Sequence, residues 1–161
     1  MKKNVLLLED FTDVDFLLIG ISASLEMYRL AYFMNKQLNI KLAIQEKDID
    51  FLYADCEAKF PLYKYYSKDL QSNVYMVANK CKAMLNHTQS SGSLFDENLA
   101  SKTKYLLPEL KHADYLFKIE EDSDLVSLKN LLYEINQIKQ VSSAFVIAND
   151  QLKSPQNLIF N

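Results

Sequence analysis

The sequence predicts an α+β fold: a single-domain two-layer sandwich in which a mainly antiparallel sheet carries two main helices on one face. Three observations predict it. The segment over residues 14–21 is apolar apart from Asp15 and shows no alternation, which is typical of a strand buried on both faces. Apolar residues recur at helical spacing over residues 24–38 and 125–138. The stretches between and after these segments have the pattern of strands separated by turns.

The first part of the chain predicts a strand, a helix and a second strand. Residues 14–21 have no polar face to give to water, so we expect this strand in the interior of the sheet. Ser24 is the expected N-cap of a helix that ends near Leu38, where Asn39 can close it. Its apolar face consists of Met27, Leu30, Ala31, Met34 and Leu38. Alternation over residues 40–45 then predicts a half-buried strand.

An aromatic-rich stretch in the middle of the chain predicts an antiparallel pair of strands. Pro61 lies inside the first of them and implies an edge or a bulge at that position. Residues 68–73 are polar enough for a hairpin connection, and residues 74–78 form the second strand. Residues 87–93, rich in serine and containing a glycine, predict a loop.

The last part of the chain predicts a strand, a turn, a strand, a helix and a final strand. Residues 104–107 are extended, Pro108 can start one helical turn, and residues 115–119 form the next strand. Asp122-Ser123-Asp124 is the expected cap of the second helix, and residues 141–148 predict the last strand. The apolar face of this helix consists of Leu125, Leu128, Leu131, Leu132, Ile135 and Ile138.

Composition and charge predict a cytoplasmic globular protein. The 161 residues are 49% apolar and 24% charged, which suits one well-filled core over residues 1–161. Eighteen basic residues against twenty-one acidic ones leave a net charge of -3, which offers no positive field to attract nucleic acid. The apolar runs over residues 5–8 and 16–21 are too short for a signal peptide or a membrane span. We therefore expect no membrane contact.

The cysteines and glycines predict neither a metal site nor a cofactor site. Cys56 and Cys81 have no CxxC or histidine neighbour, so their spacing neither builds a zinc site nor requires a disulfide. Gly20 and Gly92 are the only glycines, and the phosphate-binding loops of nucleotide folds need several. No cofactor is expected.

One segment resembles a known signature. It is Leu107-Pro108-Glu109-Leu110-Lys111-His112-Ala113-Asp114-Tyr115, which is similar to the motif that names the IPExxxVDY family of bacterial proteins. Residues 15–21, Tyr28-Arg29-Leu30 and Asn79-Lys80 agree with the family as well, so the resemblance covers about residues 14–120. The family has no assigned activity, and the resemblance therefore implies no biochemical function. Family members are often encoded near ribonuclease III and pyruvate kinase, which suggests RNA metabolism as an alternative.

Glu109 and Asp114 are the charged residues that the signature specifies. Paired carboxylates can act as general acid and base when their surroundings separate their pKa values. Alternatively, Glu109 favours the turn after Pro108 through the helix dipole, and Asp114 ends that turn. The structural interpretation is the one we expect.

Asn79 and Lys80 form a polar pair at the end of a predicted strand. They could contact an anionic ligand, or Asn79 could satisfy backbone groups where the strand ends. We expect the second role.

Arg29 is the only arginine among eighteen basic residues. A guanidinium group can hold a carboxylate through two parallel hydrogen bonds, which lysine cannot do. Arg29 is therefore predicted either to form a modest surface pair with Glu26 or to reach the signature and pair with Glu109 or Asp114.

Three classes of function remain. A protein-interaction or structural module without catalysis is favoured, because catalytic motifs are missing and large aromatics are abundant. An RNA-associated accessory factor would need a basic, ring-lined patch around Tyr63 to Lys68. A small-ligand binder or cryptic enzyme would need Arg29, Lys80, Glu109 and Asp114 to converge on one pocket. His87, His112 and Cys81 are expected to have no catalytic role.

Overall fold

The computed structural model describes residues 16–85, 101–120 and 126–160. These residues contain two α-helices and ten strands, and the strands form two antiparallel sheets. The α+β class is confirmed, and the predicted single sheet is divided into two. The helices are α1 (Met27–Leu38) and α2 (Leu128–Gln137). The strands are β1 (Leu17–Ala23), β2 (Ala43–Ile44), β3 (Ile49–Leu52), β4 (Cys56–Phe60), β5 (Leu62–Ser67), β6 (Ser72–Ala78), β7 (Lys80–Leu85), β8 (Ser101–Tyr105), β9 (Tyr115–Ile119) and β10 (Val141–Ile147).

The larger sheet has six strands in the order β10-β1-β9-β6-β5-β2, and every neighbouring pair is antiparallel. β1 lies between β10 and β9, so the predicted interior position of this strand is confirmed for the part that the structure describes. Gly20 lies opposite Phe145 on β10, and the Phe145 ring passes 2.5 Å from where a Cβ would stand. A Cβ at this position would require the end of the Phe145 ring to move, because that ring lies over the backbone.

The smaller sheet has four strands in the order β3-β4-β7-β8, and a bent hairpin joins it to the larger sheet. β5 and β6 pair in the larger sheet, and their continuations β4 and β7 pair in the smaller one. Pro61 and Asn79 are the residues at which the two arms pass between the sheets. We call this place the corner. The predicted pair of strands is thus confirmed, and Pro61 interrupts the arm because it cannot donate a ladder hydrogen bond.

The larger sheet is covered on both faces. One face carries both helices over a core that includes Ile19, Met76 and Phe117, as predicted for helices on one face. The other face packs against the smaller sheet and the end of the chain, with Leu18, Val77 and Leu116 among its buried residues. The predicted apolar faces of the helices are confirmed where they are described, because these residues join the helix-side core: Leu30, Ala31, Met34, Leu128, Leu131, Leu132, Ile135 and Ile138.

Both predicted helix starts are wrong by a few residues. α1 begins at Met27 with Glu26 as its N-cap, not with Ser24. Tertiary hydrogen bonds explain the delay, because Asp114 and Tyr115 bind the backbone of Ala23 and Leu25 and hold that segment out of the helix.

The second helix begins at Leu128, where the Ser127 hydroxyl accepts a hydrogen bond from the Asn130 N–H. Ser127 is thus the N-cap, a residue whose side chain suits that position. The predicted cap, Asp122-Ser123-Asp124, lies outside the described residues, as does Leu125.

The predicted strand over residues 40–45 is mostly wrong. Only Ala43 and Ile44 join the sheet, and Ile44 is exposed. The Asn35 side chain binds both the N–H and the C=O of Leu42, at 2.7 and 3.1 Å, and so takes the place of a neighbouring strand. Asn39 closes α1 in the left-handed conformation, as predicted. The loop predicted over residues 87–93, including His87, lies outside the described part of the chain.

Candidate functional site

Asn79 is fully buried at the corner and binds the loop that carries the signature, residues 106–114, here called the signature loop. Its Oδ1 accepts the Leu107 N–H at 2.8 Å. Its Nδ2 donates to the carbonyl oxygens of Leu110 and Ala113, both at 2.9 Å. All three side-chain hydrogen bonds therefore go to backbone groups of one loop. These groups are buried away from water, so they need partners within the protein.

The Asn79 backbone is engaged with the same loop. Its N–H donates to the Asp114 carbonyl at 2.9 Å, and its carbonyl accepts the Leu106 N–H at 2.8 Å. The two ends of the signature loop are thereby fixed to the corner. Asn79 therefore satisfies backbone groups at the end of β6, which is the role that we expected for it.

Asp114 and Tyr115 connect the signature to the segment before α1. One carboxylate oxygen of Asp114 accepts the Ala23 N–H at 3.0 Å, and the Asp114 N–H donates to the Ile21 carbonyl at 2.9 Å. The Tyr115 hydroxyl donates to the Leu25 carbonyl. Burial, followed by the charges of Asp114 and Glu26, raises the pKa of Tyr115, so this hydroxyl keeps its proton.

Glu109 connects the signature to the end of the chain. The 3-10 turn Pro108–Leu110 presents its carboxylate, and one oxygen accepts the N–H groups of Lys153 and Ser154 at 2.8 and 2.9 Å. These two residues belong to residues 149–160, a segment of two 3-10 turns that we call the C-terminal strap. Glu109 thus binds a backbone site in another part of the chain, beyond the expected role in its own turn.

The carboxylates of Glu109 and Asp114 do not share a site. Each oxygen named above is held by backbone N–H groups of a different segment, one near the start of α1 and the other in the strap. Two carboxylates that act as acid and base need a common substrate position. The geometry therefore favours the structural role that the sequence led us to expect.

A cavity of about 470 Å³ opens at the corner, and we call it the corner pocket. It brings together three of the residues that the sequence singled out, Lys80, Asp114 and Tyr115, and adds Lys59 and Cys81. Neither Arg29 nor Glu109 lines it. A small-ligand binder or cryptic enzyme would need four polar residues to converge on one pocket, and two of the four, Lys80 and Asp114, line this one. The lining residues are Ala23, Ser24, Leu25, Met27, Lys59, Pro61, Ala78, Lys80, Cys81, Asp114 and Tyr115.

Arg29 lies on the exposed outer face of α1. Within residues 16–85, 101–120 and 126–160 it forms no ion pair with Glu26, Glu109 or Asp114, so the predicted pairing with the signature is wrong. The two signature carboxylates instead take backbone N–H groups. Neighbouring positions on the same helix face are also exposed. We call this set the α1 stripe, and it consists of Tyr28, Arg29, Tyr32 and Lys36.

Lys118 is a buried lysine that the sequence analysis missed. It lies one residue before the end of β9 and is only 5% exposed, with its Nζ donating to the Leu158 carbonyl at 2.8 Å. The rings of Phe16, Phe160 and Tyr75 surround the ammonium group at 5.1, 5.3 and 5.7 Å from their centroids. The sequence does carry a signal for this site, namely a lysine inside an otherwise apolar strand. Such a lysine is rarely buried unless other groups bind its ammonium group.

The pKa values of Lys118 and of the neighbouring Tyr75 are both shifted. Burial lowers the pKa of Lys118, and the nearby Glu120 carboxylate partly opposes this. Burial, with the charge and hydrogen bond of Glu120, raises the pKa of Tyr75 to about 12. The Asn73 amide donates to the same carboxylate at 2.8 Å. Because Lys118 donates to a strap carbonyl, we interpret this cluster as an anchor for the strap.

The segment in which an RNA-associated factor would need a basic, ring-lined patch, Tyr63 to Lys68, does not form one. Tyr63 is buried and Tyr65 is partly buried, and both pack in the core beneath the helices. Lys64 lies over the Tyr75 ring, and Tyr66 is the exposed ring of the segment. An RNA-binding platform needs several exposed rings among cations.

The remaining candidates show no reactive arrangement. Cys56 and Cys81 are free, and burial raises the pKa of both thiols, which disfavours the nucleophilic thiolate. The exposed His112 ring stacks on Phe145 at 4.9 Å. In the described ranges, no three His, Cys, Asp or Glu side chains are grouped as metal ligands. None of the helices described is both long and apolar enough to cross a membrane.

Comparisons with protein-family models, with curated proteins and with solved structures find no match to this chain.

Proposed function

We propose that the protein is a protein-interaction module without catalysis, and that the α1 stripe is the surface that binds the partner. The observation that carries the proposal is the exposure of two tyrosines beside the only arginine. Tyr28 and Tyr32 are each 62% exposed, and Arg29 lies between them on the exposed face. Tyrosine and arginine are the residue types enriched among those that contribute most to protein–protein affinity.

The helix beneath the stripe supports this role because it is rigid. Leu30, Ala31 and Met34 on the opposite face are buried against the sheet. A side chain displayed on a packed helix loses little further freedom on binding, which lowers the entropic cost of association. The stripe is thus organised before a partner arrives.

Charge indicates the kind of partner. Arg29 and Lys36 give the stripe two cations, and the exposed Glu26 carboxylate lies beside Tyr28 at one end of it. An acidic protein surface complements such a face, and the guanidinium fork of Arg29 suits a partner carboxylate in particular. A cytoplasmic location and membership of the IPExxxVDY family remain predictions from the sequence.

Affinity purification from the native host, with quantitative mass spectrometry, tests the proposal. The wild-type protein is compared with Tyr28→Ser/Tyr32→Ser and with Tyr66→Ser, an exposed tyrosine on β5 that serves as the matched control. We expect one stoichiometric partner with an acidic binding surface. Its recovery should fall about tenfold or more with the double variant and stay unchanged with the control.

Two results would contradict the proposal. Equal recovery of the partner by all three proteins would show that the α1 stripe does not bind it. Loss of the partner on ribonuclease treatment would replace protein interaction by the alternative role, an accessory factor in RNA metabolism. Charge reversal with Arg29→Glu sharpens the test, because an acidic partner should be lost even when both tyrosines are present.

A further inference from the structure

The corner pocket has a shape and a position that do not follow from the α1 stripe. It lies where Pro61 and Asn79 carry the strands from one sheet to the other, so the two sheets diverge there and leave a concave space. Four separate segments of the chain form its walls. Concave sites built from several rigid elements are where small ligands usually bind.

Two ammonium groups dominate the charge of the pocket. Lys59 and Lys80 line it from β4 and β7, and both side chains are exposed. The ion pair of Lys59 with Glu57 is long, at 3.8 Å, and the Lys59 side chain is 58% exposed, so that pair is weak. Both cations can therefore turn toward a ligand.

The lining itself carries two cations and one anion. Asp114 supplies the carboxylate, and its Oδ2 already accepts the Ala23 N–H. Burial raises the pKa of Cys81, and burial with the Asp114 and Glu26 carboxylates raises the pKa of Tyr115, so both are neutral at neutral pH. Glu26 and Glu57 lie beside the lining, so the attraction for an anion comes from direct contact with Lys59 and Lys80 and not from a positive field over the whole pocket.

The remaining wall is apolar. Leu25, Met27, Pro61 and Ala78 contribute carbon atoms to the lining, and none of these side chains has a charge to satisfy. A ligand that gained from this wall would bury an apolar body there while its charged group stayed near the mouth.

We propose that the corner pocket binds a small organic anion, whose carboxylate or phosphate group contacts Lys59 and Lys80 and whose short apolar body lies against Met27 and Pro61. The pocket is separate from the α1 stripe, so this site and the protein interface can each exist without the other. The signature then has a second consequence, because Asp114 and Tyr115 shape the pocket while they fix the segment before α1.

Titration followed by NMR of the backbone amides tests the site with defined probes. The probes are 4-methylpentanoate, isopentyl phosphate, the uncharged 4-methylpentanamide and inorganic phosphate. We expect saturable shifts of the Ala78, Lys80 and Asp114 amides with one or both organic anions, and the stronger of the two identifies the preferred head group. The amide and inorganic phosphate should each bind about tenfold more weakly or not at all.

The variants Lys59→Gln/Lys80→Gln and Lys82→Gln complete the test. Lys82 is an exposed lysine two positions from Lys80 on β7 and does not line the pocket, so it is a matched control for loss of charge. The double variant should weaken binding about tenfold or more, and the control less than about twofold. The amide spectrum outside the pocket shows whether each variant keeps its fold.

The proposal is overturned by any of four results. These are no saturable shift with either organic anion at millimolar concentration, equal binding of the uncharged amide, equal binding of inorganic phosphate, and an equal loss of binding in Lys82→Gln. Equal binding of the uncharged amide would show that the charge does not contribute to recognition. Equal binding of inorganic phosphate would show that the apolar wall does not contribute. None of them changes the expected behaviour of the α1 stripe.

Discussion

The signature loop and the α1 stripe use polar residues in opposite ways. Around the loop, Asn79, Glu109 and Asp114 direct their side chains to backbone groups of other segments. On α1, Arg29 and the tyrosines face solvent, and within the described residues Arg29 has no ion pair. The polar groups of the first region bind backbone groups of the fold, whereas in the second Arg29 faces solvent and the Tyr28 hydroxyl lies beside an exposed side chain, that of Glu26.

The residues that the fold requires are therefore different from the residues that can bind a partner. A residue that satisfies buried backbone groups can be replaced by few others, because its loss leaves several groups without partners. An exposed residue on a helix carries no such restriction from the fold. The segment that resembles a family signature therefore reports mainly on architecture, and the fold places no such restriction on the surface that we assign to binding.

Loss of the Asn79 side chain should have the largest effect on stability. Asn79→Ala leaves the Leu107 N–H and the Ala113 carbonyl buried without these partners, and the Leu110 carbonyl keeps only the Ala113 N–H, so the free energy of unfolding should fall by about 3–5 kcal/mol. Urea denaturation measures this. Asn73→Ala, which removes one bond to a partly buried carboxylate, should cost about 1 kcal/mol. Similar small losses in both variants would show that the corner does not depend on Asn79.

Ionisation of Tyr75 should destabilise the protein at high pH. In the folded state the pKa of Tyr75 is raised to about 12, whereas the ordinary value is 10.0. Between pH 10 and 12 the unfolded state therefore binds fewer protons than the folded state, and stability falls by roughly 2 kcal/mol as pH rises. Unfolding measured across this range should show a shallower fall in Tyr75→Phe. The exposed control Tyr32→Phe should keep the wild-type slope, and a parallel change in both variants would contradict the assignment.

Removal of the Glu109 carboxylate should loosen the C-terminal strap. Glu109→Ala leaves the N–H groups of Lys153 and Ser154 without their acceptor, and these groups are partly accessible to water. We expect a loss of about 1–2 kcal/mol and faster hydrogen exchange confined to the strap. Glu134→Ala, which removes one exposed bond to Gln37, is the control and should leave strap exchange unchanged. Unaltered exchange in Glu109→Ala would mean that other contacts hold the strap.

Substitution of Arg29 should have the smallest effect on stability. Because this side chain is exposed and forms no ion pair with a described residue, Arg29→Lys should change the free energy of unfolding by less than about 0.5 kcal/mol. Thermal melts of the isolated protein measure this. A loss of several kcal/mol would return Arg29 to a structural role and remove the contrast between the two regions.

Local patterns in the sequence predicted much of the fold. The apolar face of α1, the hairpin formed by β5 and β6, and the strands β9 and β10 follow from periodicity over a few residues. The division into two sheets does not, because it depends on how Pro61 and Asn79 bend the hairpin and on contacts with a loop far along the chain. The start of α1 was predicted wrongly for the same reason, because hydrogen bonds from Asp114 and Tyr115 hold the backbone of Ala23 and Leu25.

The candidate site was predictable only in part. The pairs Asn79-Lys80 and Asp114-Tyr115 were recognisable as motifs, and the structure brings them together at the corner. Their roles needed geometry, because a carboxylate bound to a backbone N–H and a catalytic one look alike in a sequence. Lys118 was visible as a charge within an apolar strand, but its aromatic surroundings come from residues 42 and more positions away.

Hydrogen exchange of the Leu107 amide in the wild-type protein tests most directly whether the signature loop is architectural. This N–H is buried and has the Asn79 Oδ1 as its partner. If the loop is part of the folded framework, the Leu107 amide should exchange only through global unfolding, with the same free energy as the central amides of β9. Exchange that is orders of magnitude faster, through local opening of residues 106–114 while β9 stays protected, would contradict this and indicate a mobile loop kept for another purpose.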